Sequence, residues 1–269
     1  MSLVVDPYAE PAGSRRFLDG LNPLAKLVGP LPAVVLLVFV RDLATPLIFL
    51  ALAYAVILVG ARLTRTVGAL LGLALPVGVV VFGIGMSVWI DASRIDRSVE
   101  VISIGAWTLY GGALEIGFAT SLRLAAIVAL ALIAGLTTTG PDLVRAGVQQ
   151  LRVPYRVGYT ALAAFRFVPR FRHELDIIRQ AHRVRGAPGG RFGVVARWWG
   201  YVVPLLAGAI RHAERVALAM DARAFGAHPD RTERHVVPFR VRDAVFLGAC
   251  WAVSAVVFVA LFPWTLGAS

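Results

Sequence analysis

The chain alternates long apolar runs with one polar, strongly basic segment, and this division limits its possible folds more than any other feature. The basic segment, about Gly140 to Arg242, contains 18 of the 27 Lys and Arg residues but 7 of the 16 Asp and Glu residues, so it carries the whole +11 net charge. All five histidines lie there too. Because Lys and Arg concentrate on the cytoplasmic side of membrane proteins, we expect a cytoplasmic domain flanked by membrane spans.

The apolar runs have the length of membrane spans. The chain is 58% hydrophobic and 16% charged, with a mean hydropathy of +0.74, which is typical of integral membrane proteins rather than of soluble domains. A hydrocarbon core of ~30 Å needs ~20 helical residues at ~1.5 Å per residue. We therefore predict an all-α integral membrane protein with about five spans. The predicted spans cover residues 27–40, 43–61, 67–90, 119–138 and 244–263.

Charges and helix breakers near the spans predict their orientation and irregularities. Arg62 and Arg65 mark an inner end, whereas Asp91–Glu100 has a net charge of −1 and suits an outside loop. The Gly-rich segment Ile102–Phe118 is expected to be interfacial or re-entrant, and Pro76 is expected to kink the third span.

The domain organisation follows from the spans and the charge. Residues 1–26 are expected to form a cytoplasmic N-terminal segment, and residues 27–139 the first four transmembrane helices. Residues 140–242 then form the cytoplasmic domain, and residues 243–269 the last transmembrane helix and the C-terminus. With the N-terminus inside, five spans place the C-terminus outside.

Two ionisable residues fall in or near the fourth span. Glu115 and Arg123 are eight residues apart, which is ~12 Å along a helix and too far for a direct ion pair. Because charges inside a membrane are costly, each residue is expected to face the bundle interior or a polar partner. For Arg123 the alternative is that its side chain extends to the membrane surface.

Gly and Pro residues divide the basic segment into amphipathic helices. The predicted helices are Pro141–Leu151, Tyr155 to about Arg185, and Phe192–Arg223, the last with Pro204 inside. Each of the two longer helices ends in an arginine followed by turn residues. These two helices are the candidate functional elements of the chain.

Both terminal arginines lie beside apolar stripes. Arg185 is one turn from Ala181, and Arg223 is three residues after Met220. An Arg in the last turn stabilises a helix by ~0.3–1 kcal/mol through the helix dipole, but this effect does not require an apolar face. A guanidinium beside small residues suits capture of a carboxylate on a closely packed partner. Candidate residues for helix packing and coupling are Ala181, Pro204, Ala213, Ala217 and Met220.

The helical segment is therefore interpreted as a protein-docking platform. The alternative from the residues alone is an amphipathic domain that lies on anionic lipid. Other classes are disfavoured, because the histidines lack HExxH or CxxC companions and the chain contains no GxxxxGK[ST] phosphate loop. Trp198, Trp199 and Tyr201 are more typical of an interfacial belt than of a nucleic-acid stacking platform.

Several stretches resemble the transmembrane T component of energy-coupling factor transporters, which import vitamins and transition-metal ions in prokaryotes. The resemblance runs from the opening motif Leu21–Leu27 (LNPLAKL) to the end of the chain. Its most specific parts are two Ala-Arg-Gly-type motifs, Val184-Arg185-Gly186 and Ala222-Arg223-Ala224. Each motif departs from the pattern at one small position, with Val184 in place of Ala and Ala224 in place of Gly.

The resemblance implies a non-catalytic scaffold in the prokaryotic inner membrane, without a cofactor or metal. It implies that two long coupling helices cross and that their arginine-containing ends enter grooves on two ABC-type ATPase subunits, either identical or different. The rest of the platform would hold a substrate-binding S subunit in the lipid bilayer, and substrate selectivity would belong to that subunit. The alternative within transport is a conventional ABC permease subunit, against which the two long arginine-ended helices argue.

Overall fold

The computed structural model shows a helical protein and describes residues 16–40, 42–90, 100–104, 107–186, 193–228, 232–233 and 235–261. The α-helices are α1 (Pro23–Val28), α2 (Leu31–Phe39), α3 (Ala44–Gly60), α4 (Arg65–Ala69), α5 (Leu75–Trp89), α6 (Gly111–Thr137), α7 (Gly140–Gln150), α8 (Tyr155–Val184), α9 (Gly193–Asp221) and α10 (Val241–Leu261). A 3₁₀ turn, Phe17–Gly20, precedes them. The predicted all-α membrane fold class is confirmed.

One small sheet interrupts the helices. Strands β1 (Glu100–Ile104) and β2 (Trp107–Tyr110) pair antiparallel, with Ile104 opposite Trp107. The segment expected to be interfacial or re-entrant therefore forms this hairpin and the first turns of α6. Residues 91–99 of the predicted outside loop Asp91–Glu100 lie outside the described residues, and Glu100 is the first residue of β1.

Three helices of the described chain are long and apolar enough to cross a membrane. They are Arg65–Trp89, Gly111–Thr137 and Val241–Ala260. Pro23–Phe39 and Ala44–Gly60 are apolar but shorter, so the count of five spans stays a prediction. The helix Arg65–Trp89 is irregular at a π-helical turn, Leu70–Ala74. This turn directly precedes the segment that contains Pro76.

Helix α6 packs through small residues. A buried row repeats every fourth residue and consists of Ala113, Gly117, Ser121, Ala125, Ala129 and Ile133. A Cβ on Gly117 would meet the side chain of Ser87, and one on Gly83 would lie 3.0 Å from the Phe118 ring, so α5 and α6 approach closely. Small residues permit such close packing where apolar burial alone cannot drive helix association.

The two ionisable residues of α6 differ in burial. Glu115 is exposed, whereas Arg123 is half-buried and its Nε is a buried donor without a hydrogen-bond partner among the described residues. No ion pair joins the two residues in the described chain, as their spacing predicts. Burial of this donor without a partner carries a desolvation cost.

A buried polar cluster joins the first helix to the last two apolar helices. Asn22 caps α1 by accepting a hydrogen bond from Leu24 N, and its own backbone N donates to Asp243 Oδ1 over 2.7 Å. Lys26 is 1% exposed, and its Nζ donates to the carbonyl of Thr137 over 2.7 Å. The opening motif therefore caps α1 and forms buried hydrogen bonds with α10 and with the end of α6.

The chain divides into two compact units, Met1–Thr139 with Pro238–Ser269 and Gly140–Val237. The first contains the apolar helices and a core centred on α2, α3 and α6. Its buried members include Leu37, Ile57 and Ala129. The second contains α7, α8 and α9 and carries the candidate site.

Candidate docking ends of the helix pair

Helices α8 and α9 pack side by side in opposite directions. His182 near the end of α8 meets Tyr201 early in α9, with ring centroids 5.2 Å apart. Phe167, farther back in α8, meets His212 at 4.4 Å. Residues earlier in α8 thus contact residues later in α9, which is the pattern of an antiparallel helix pair.

The antiparallel arrangement places the two predicted arginines at opposite ends of the pair. Arg185 follows His182 at one end, whereas Arg223 lies two residues before Phe225, whose ring meets Tyr159 near the start of α8. The 22 residues from Tyr201 to Arg223 correspond to ~33 Å of helix at ~1.5 Å per residue. The two arginines are therefore too far apart to share one small binding site.

Both arginines occupy the same structural position, the C-cap of their helix. Arg185 N donates to Ala181 O over 3.2 Å, and the following Gly186 has a φ of +67°. Arg223 N donates to Met220 O over 3.1 Å, and the following Ala224 has a φ of +55°. A left-handed residue after the C-cap ends a helix sharply and turns the chain away.

The α9 terminus is a complete Schellman motif. Ala224 N donates to Asp221 O over 2.9 Å, and Phe225 N donates to Met220 O over 3.0 Å. Arg156 Nη2 ties the following turn to α8 by donating to Gly226 O over 2.8 Å. The end of α9 is therefore held rigidly, with the arginine at its tip.

The motif residues are open to a partner. Val184, Arg185, Gly186, Ala222, Arg223 and Ala224 are all exposed, and 89% of Val184 is accessible. Described residues form no salt bridge with either arginine. A guanidinium in this setting offers a planar set of N–H donors to a carboxylate.

The structure separates the predicted packing residues from the contact between the two helices. Ala181, Pro204, Ala213 and Ala217 are exposed, and Met220 is half-buried. The close approach occurs instead at Gly208, where an added Cβ would lie 2.9 Å from Oε1 of Glu174. A packing role for Ala181, Ala213 and Ala217 thus stays a prediction and would require a second polypeptide.

The face of α9 opposite α8 is apolar, and the sequence pattern singled out only its Ala213 and Ala217. It consists of Trp199, Val203, Leu206, Ile210, Ala213 and Ala217, which fall within a narrow sector at 100° per residue. We call this set the apolar stripe. Trp199 and Val203 are 70% and 71% exposed, and Gly208 on the opposite side of the helix packs against α8. Helix α9 therefore contacts α8 through the side that carries Gly208, and no described residue covers the apolar stripe.

Ala224→Gly is expected to raise the free energy of unfolding of the helix pair by about 0.5–1 kcal/mol. Left-handed backbone costs a Cβ-bearing residue ~1–2 kcal/mol, and the greater freedom of unfolded glycine offsets part of the gain. Ala222→Gly, at a right-handed position one residue before Arg223, should instead lower stability by ~1 kcal/mol. Hydrogen exchange of the α9 amides distinguishes the two outcomes, and equal effects would contradict the strain at Ala224.

We predict that His212 makes the pair formed by α8 and α9 sensitive to mild acid. Partial burial lowers its pKa from the ordinary 6.5, the charges of Arg170 and Arg215 lower it further, and Glu174 opposes them. A histidine with a depressed folded-state pKa contributes full stability above pH 6.5 and loses it as pH falls towards the folded-state pKa. We expect α8–α9 amides to exchange faster as pH falls below 6.5, after correction for intrinsic rates. His212→Phe should remove this dependence, and an unchanged profile would show that His212 is not its source.

No group of three or more His, Cys, Asp or Glu residues that would hold a metal ion is present within the described part of the chain. The arrangement offers paired donors at two helix ends and an apolar surface. These are features of a protein-binding element.

The fold and these helix ends define an α-helical integral membrane protein with a separate unit of amphipathic helices. Residues 14–234 match the family model CbiQ, described as cobalt transport protein. The chain belongs to this family, the transmembrane T components of energy-coupling factor transporters, and is a membrane component of such a transporter.

Curated relatives agree with this assignment. Energy-coupling factor transporter transmembrane protein EcfT of Limosilactobacillus fermentum is 28% identical over 90% of this chain and 92% of its own length. EcfT of Staphylococcus aureus is 30% identical over 55% of this chain and 59% of that protein. A protein of Bifidobacterium longum, described as putative ABC transporter ATP-binding protein BL0043, is 25% identical over 91% of this chain but only 32% of its own length.

Proposed function

We propose that this chain is the scaffold that couples two ABC-type ATPase subunits to a separate substrate-binding subunit in the membrane. Uptake of a vitamin or a transition-metal ion is the function that we propose for the whole complex. The observation that carries the proposal is the pair of exposed arginine C-caps at opposite ends of α8 and α9. Two equivalent, well-separated ends suit two ATPase subunits of similar shape.

The chemistry of each end supports docking into a groove. The arginine lies at the tip of a long helix, and the sharp turn after it keeps the chain from widening the tip. Exposed small neighbours, Gly186 on one end and Ala222 and Ala224 on the other, allow a partner surface to approach closely. A carboxylate in the groove would receive a charge-assisted, two-point hydrogen bond from the guanidinium.

The Bifidobacterium relative supports ATPase partners. About two thirds of that protein lie outside the segment that aligns with this chain, and its description is an ATP-binding protein. In that relative, a segment like this chain and the remaining part are therefore joined covalently. We propose that the present chain makes the corresponding association with separate subunits and does not itself hydrolyse ATP.

The apolar stripe supports the third partner. Its six residues run for ~27 Å along α9 at ~1.5 Å per residue, and they include no charge. A surface of this kind binds an apolar helix face better than it binds water. We propose that it holds the substrate-binding membrane subunit. Anionic lipid covering the same stripe is the competing hypothesis.

Site-specific photo-crosslinking tests the proposal. A photoreactive residue at Val184 or Ala222 should capture an ATPase subunit in native membranes, whereas one at Ala213 should capture a different membrane protein. Val168, an exposed apolar residue within α8, is the matched control and should capture neither ATPase. Capture of lipid alone at Val184, Ala222 and Ala213 would support the lipid-surface alternative and contradict the scaffold.

The proposed topology has the N-terminus and Gly140–Val237 in the cytoplasm of a prokaryotic cell and five spans in its inner membrane. In a Cys250→Ser background, Ala44→Cys should react with a membrane-impermeant maleimide added to intact cells. Ala227→Cys, also exposed, should react only after lysis. Labelling of Ala227→Cys in intact cells would contradict the cytoplasmic placement of the helix pair.

A further inference from the structure

The compact unit that contains the apolar helices, Met1–Thr139 with Pro238–Ser269, is called the membrane unit here. It contains an apolar cavity of about 430 Å³ between α2, α3, α6 and α10. Lining side chains include Phe49, Val56, Leu130, Phe246, Ala249 and Cys250. Ser254, a polar member of the lining, satisfies its hydroxyl within α10 by donating to Cys250 O over 2.7 Å. Such a cavity offers nothing to bind water, and an apolar guest would restore the contacts that its walls lack.

One end of the cavity is next to a group of arginines. Phe17 and Gly60 line this end, and the neighbouring Arg16 donates through Nη1 to Ala61 O over 2.6 Å and to Leu58 O over 3.2 Å. Both bonds use one nitrogen, and a guanidinium has three further N–H donors on its other nitrogens. Arg16 is therefore equipped to bind a second acceptor at the cavity rim.

Two more arginines reach the same 3₁₀ turn. Arg62, two residues after Gly60, pairs with Asp19 over 3.0 Å. Arg242 lies four residues before the lining residue Phe246 and donates from Nη2 to Gly20 O. Three arginines and one aspartate leave the rim positively charged. This charge complements an anion attached to an apolar chain.

We propose that the cavity holds an acyl chain of one anionic phospholipid, whose headgroup phosphate binds at Arg16 with Arg62 and Arg242 nearby. Basic pockets between membrane helices on the cytoplasmic side attract anionic headgroups, and Arg62 and Arg65 mark this side in the predicted topology. The lipid would fill the space between α3 and α10 and tie the first turn of the described chain to both helices. This site uses no residue of α8 or α9, so it does not depend on their proposed partners.

The charge at one end of the cavity favours a lipid over a helix of another subunit. The arginines there match an anionic headgroup better than they match the middle of an apolar membrane helix.

Cys250 provides a direct probe, because it is the single cysteine of the chain and lines the cavity. The full-length protein would be placed in nanodiscs of phosphatidylcholine alone or with one quarter phosphatidylglycerol. We expect alkylation of Cys250 by an apolar maleimide to be about fivefold slower in the mixed discs. Native mass spectrometry should show a ratio of phosphatidylglycerol to phosphatidylcholine on the protein about fivefold higher than the ratio in the bilayer.

Matched variants identify the site. Ala249→Phe places a ring in the cavity and should abolish lipid retention, whereas Ala252→Phe, at an exposed position of the same helix outside the lining, should leave it unchanged. Arg16→Gln should remove the preference for phosphatidylglycerol while the protein still folds. Retention of the two lipids by the parent in the same ratio as in the bilayer would overturn the proposal, as would parent-like retention by Ala249→Phe. Protection of Cys250 in phosphatidylcholine only when another subunit is added would assign the cavity to that subunit instead.

Discussion

Replacing Arg185 and Arg223 together with Ala is expected to abolish uptake by the assembled transporter while the chain stays in the membrane. Each substitution would leave a carboxylate of the proposed ATPase groove without its partner, and such losses at interfaces are ~2–5 kcal/mol each. That range is roughly a 30- to 5,000-fold weakening of docking at each end. Neither side chain forms a salt bridge in the described chain, so the fold has no comparable dependence on them.

The single and control variants make this prediction specific. Either arginine alone should release one ATPase end, so co-purification of the ATPase subunits should fall but persist, whereas the double variant should lose both. Arg179 and Arg215 are the matched controls, since Arg179 pairs on the helix surface with Asp176 over 3.3 Å and Arg215 is exposed. Exposed charges of this kind contribute ~0–1 kcal/mol. Parent-like uptake by the double variant, or greater sensitivity at Arg179 and Arg215, would refute the docking assignment.

The ends of the long helices could be predicted closely because Gly and Pro mark them. The sequence placed one helix from Tyr155 to about Arg185, and the structure has Tyr155–Val184 with Arg185 as its C-cap. It placed the next from Phe192 to Arg223, and the structure has Gly193–Asp221. Left-handed Gly186 terminates the first helix, but nothing in a single alanine indicates that Ala224 adopts the same conformation. That equivalence required backbone geometry.

The packing of α9 could not be predicted because the face that contacts α8 is not the face with the apolar periodicity. The periodicity singled out Ala213 and Ala217, which are exposed, whereas Gly208 and His212 contact α8. A lone glycine and a lone histidine carry little periodic signal. Only the antiparallel partner, whose Phe167 and Glu174 meet them, identifies which face is used.

The buried polar cluster was hidden for a different reason, which is separation along the chain. Asn22 and Asp243 are 221 residues apart, and Asp243 is indistinguishable by sequence from a solvated acidic residue in the first turn of a helix. The opening motif was recognised only as part of a family resemblance. Its physical role became visible when Asn22, Lys26 and Thr137 were found together.

Asp243→Ala is expected to destabilise the membrane unit by about 3 kcal/mol or more. Asp243 is 1% exposed and accepts from Asn22 N and Arg240 N, each over 2.7 Å. Hydrogen bonds to a charged group contribute ~1.5–3 kcal/mol each, and a buried donor left without a partner adds its desolvation cost. The loss should appear in thermal unfolding of the detergent-solubilised protein and in faster exchange of the α1 and α10 amides.

Two further variants distinguish the loss of the hydrogen bonds to Asp243 from a general effect of removing a carboxylate. Asp243→Asn keeps one acceptor oxygen, so it should retain one of the two hydrogen bonds and cost roughly half as much. Asp142→Ala removes a carboxylate that pairs with Arg145 at the surface, and it should cost less than ~1 kcal/mol. Equal loss of thermal stability in Asp243→Ala and Asp142→Ala would show that the buried hydrogen bonds of Asp243 do not stabilise the fold. If the three variants rank as expected, the hydrogen bonds from Asn22 N and Arg240 N account for the stabilisation, because Asp243→Asn restores one of the two that Asp243→Ala removes.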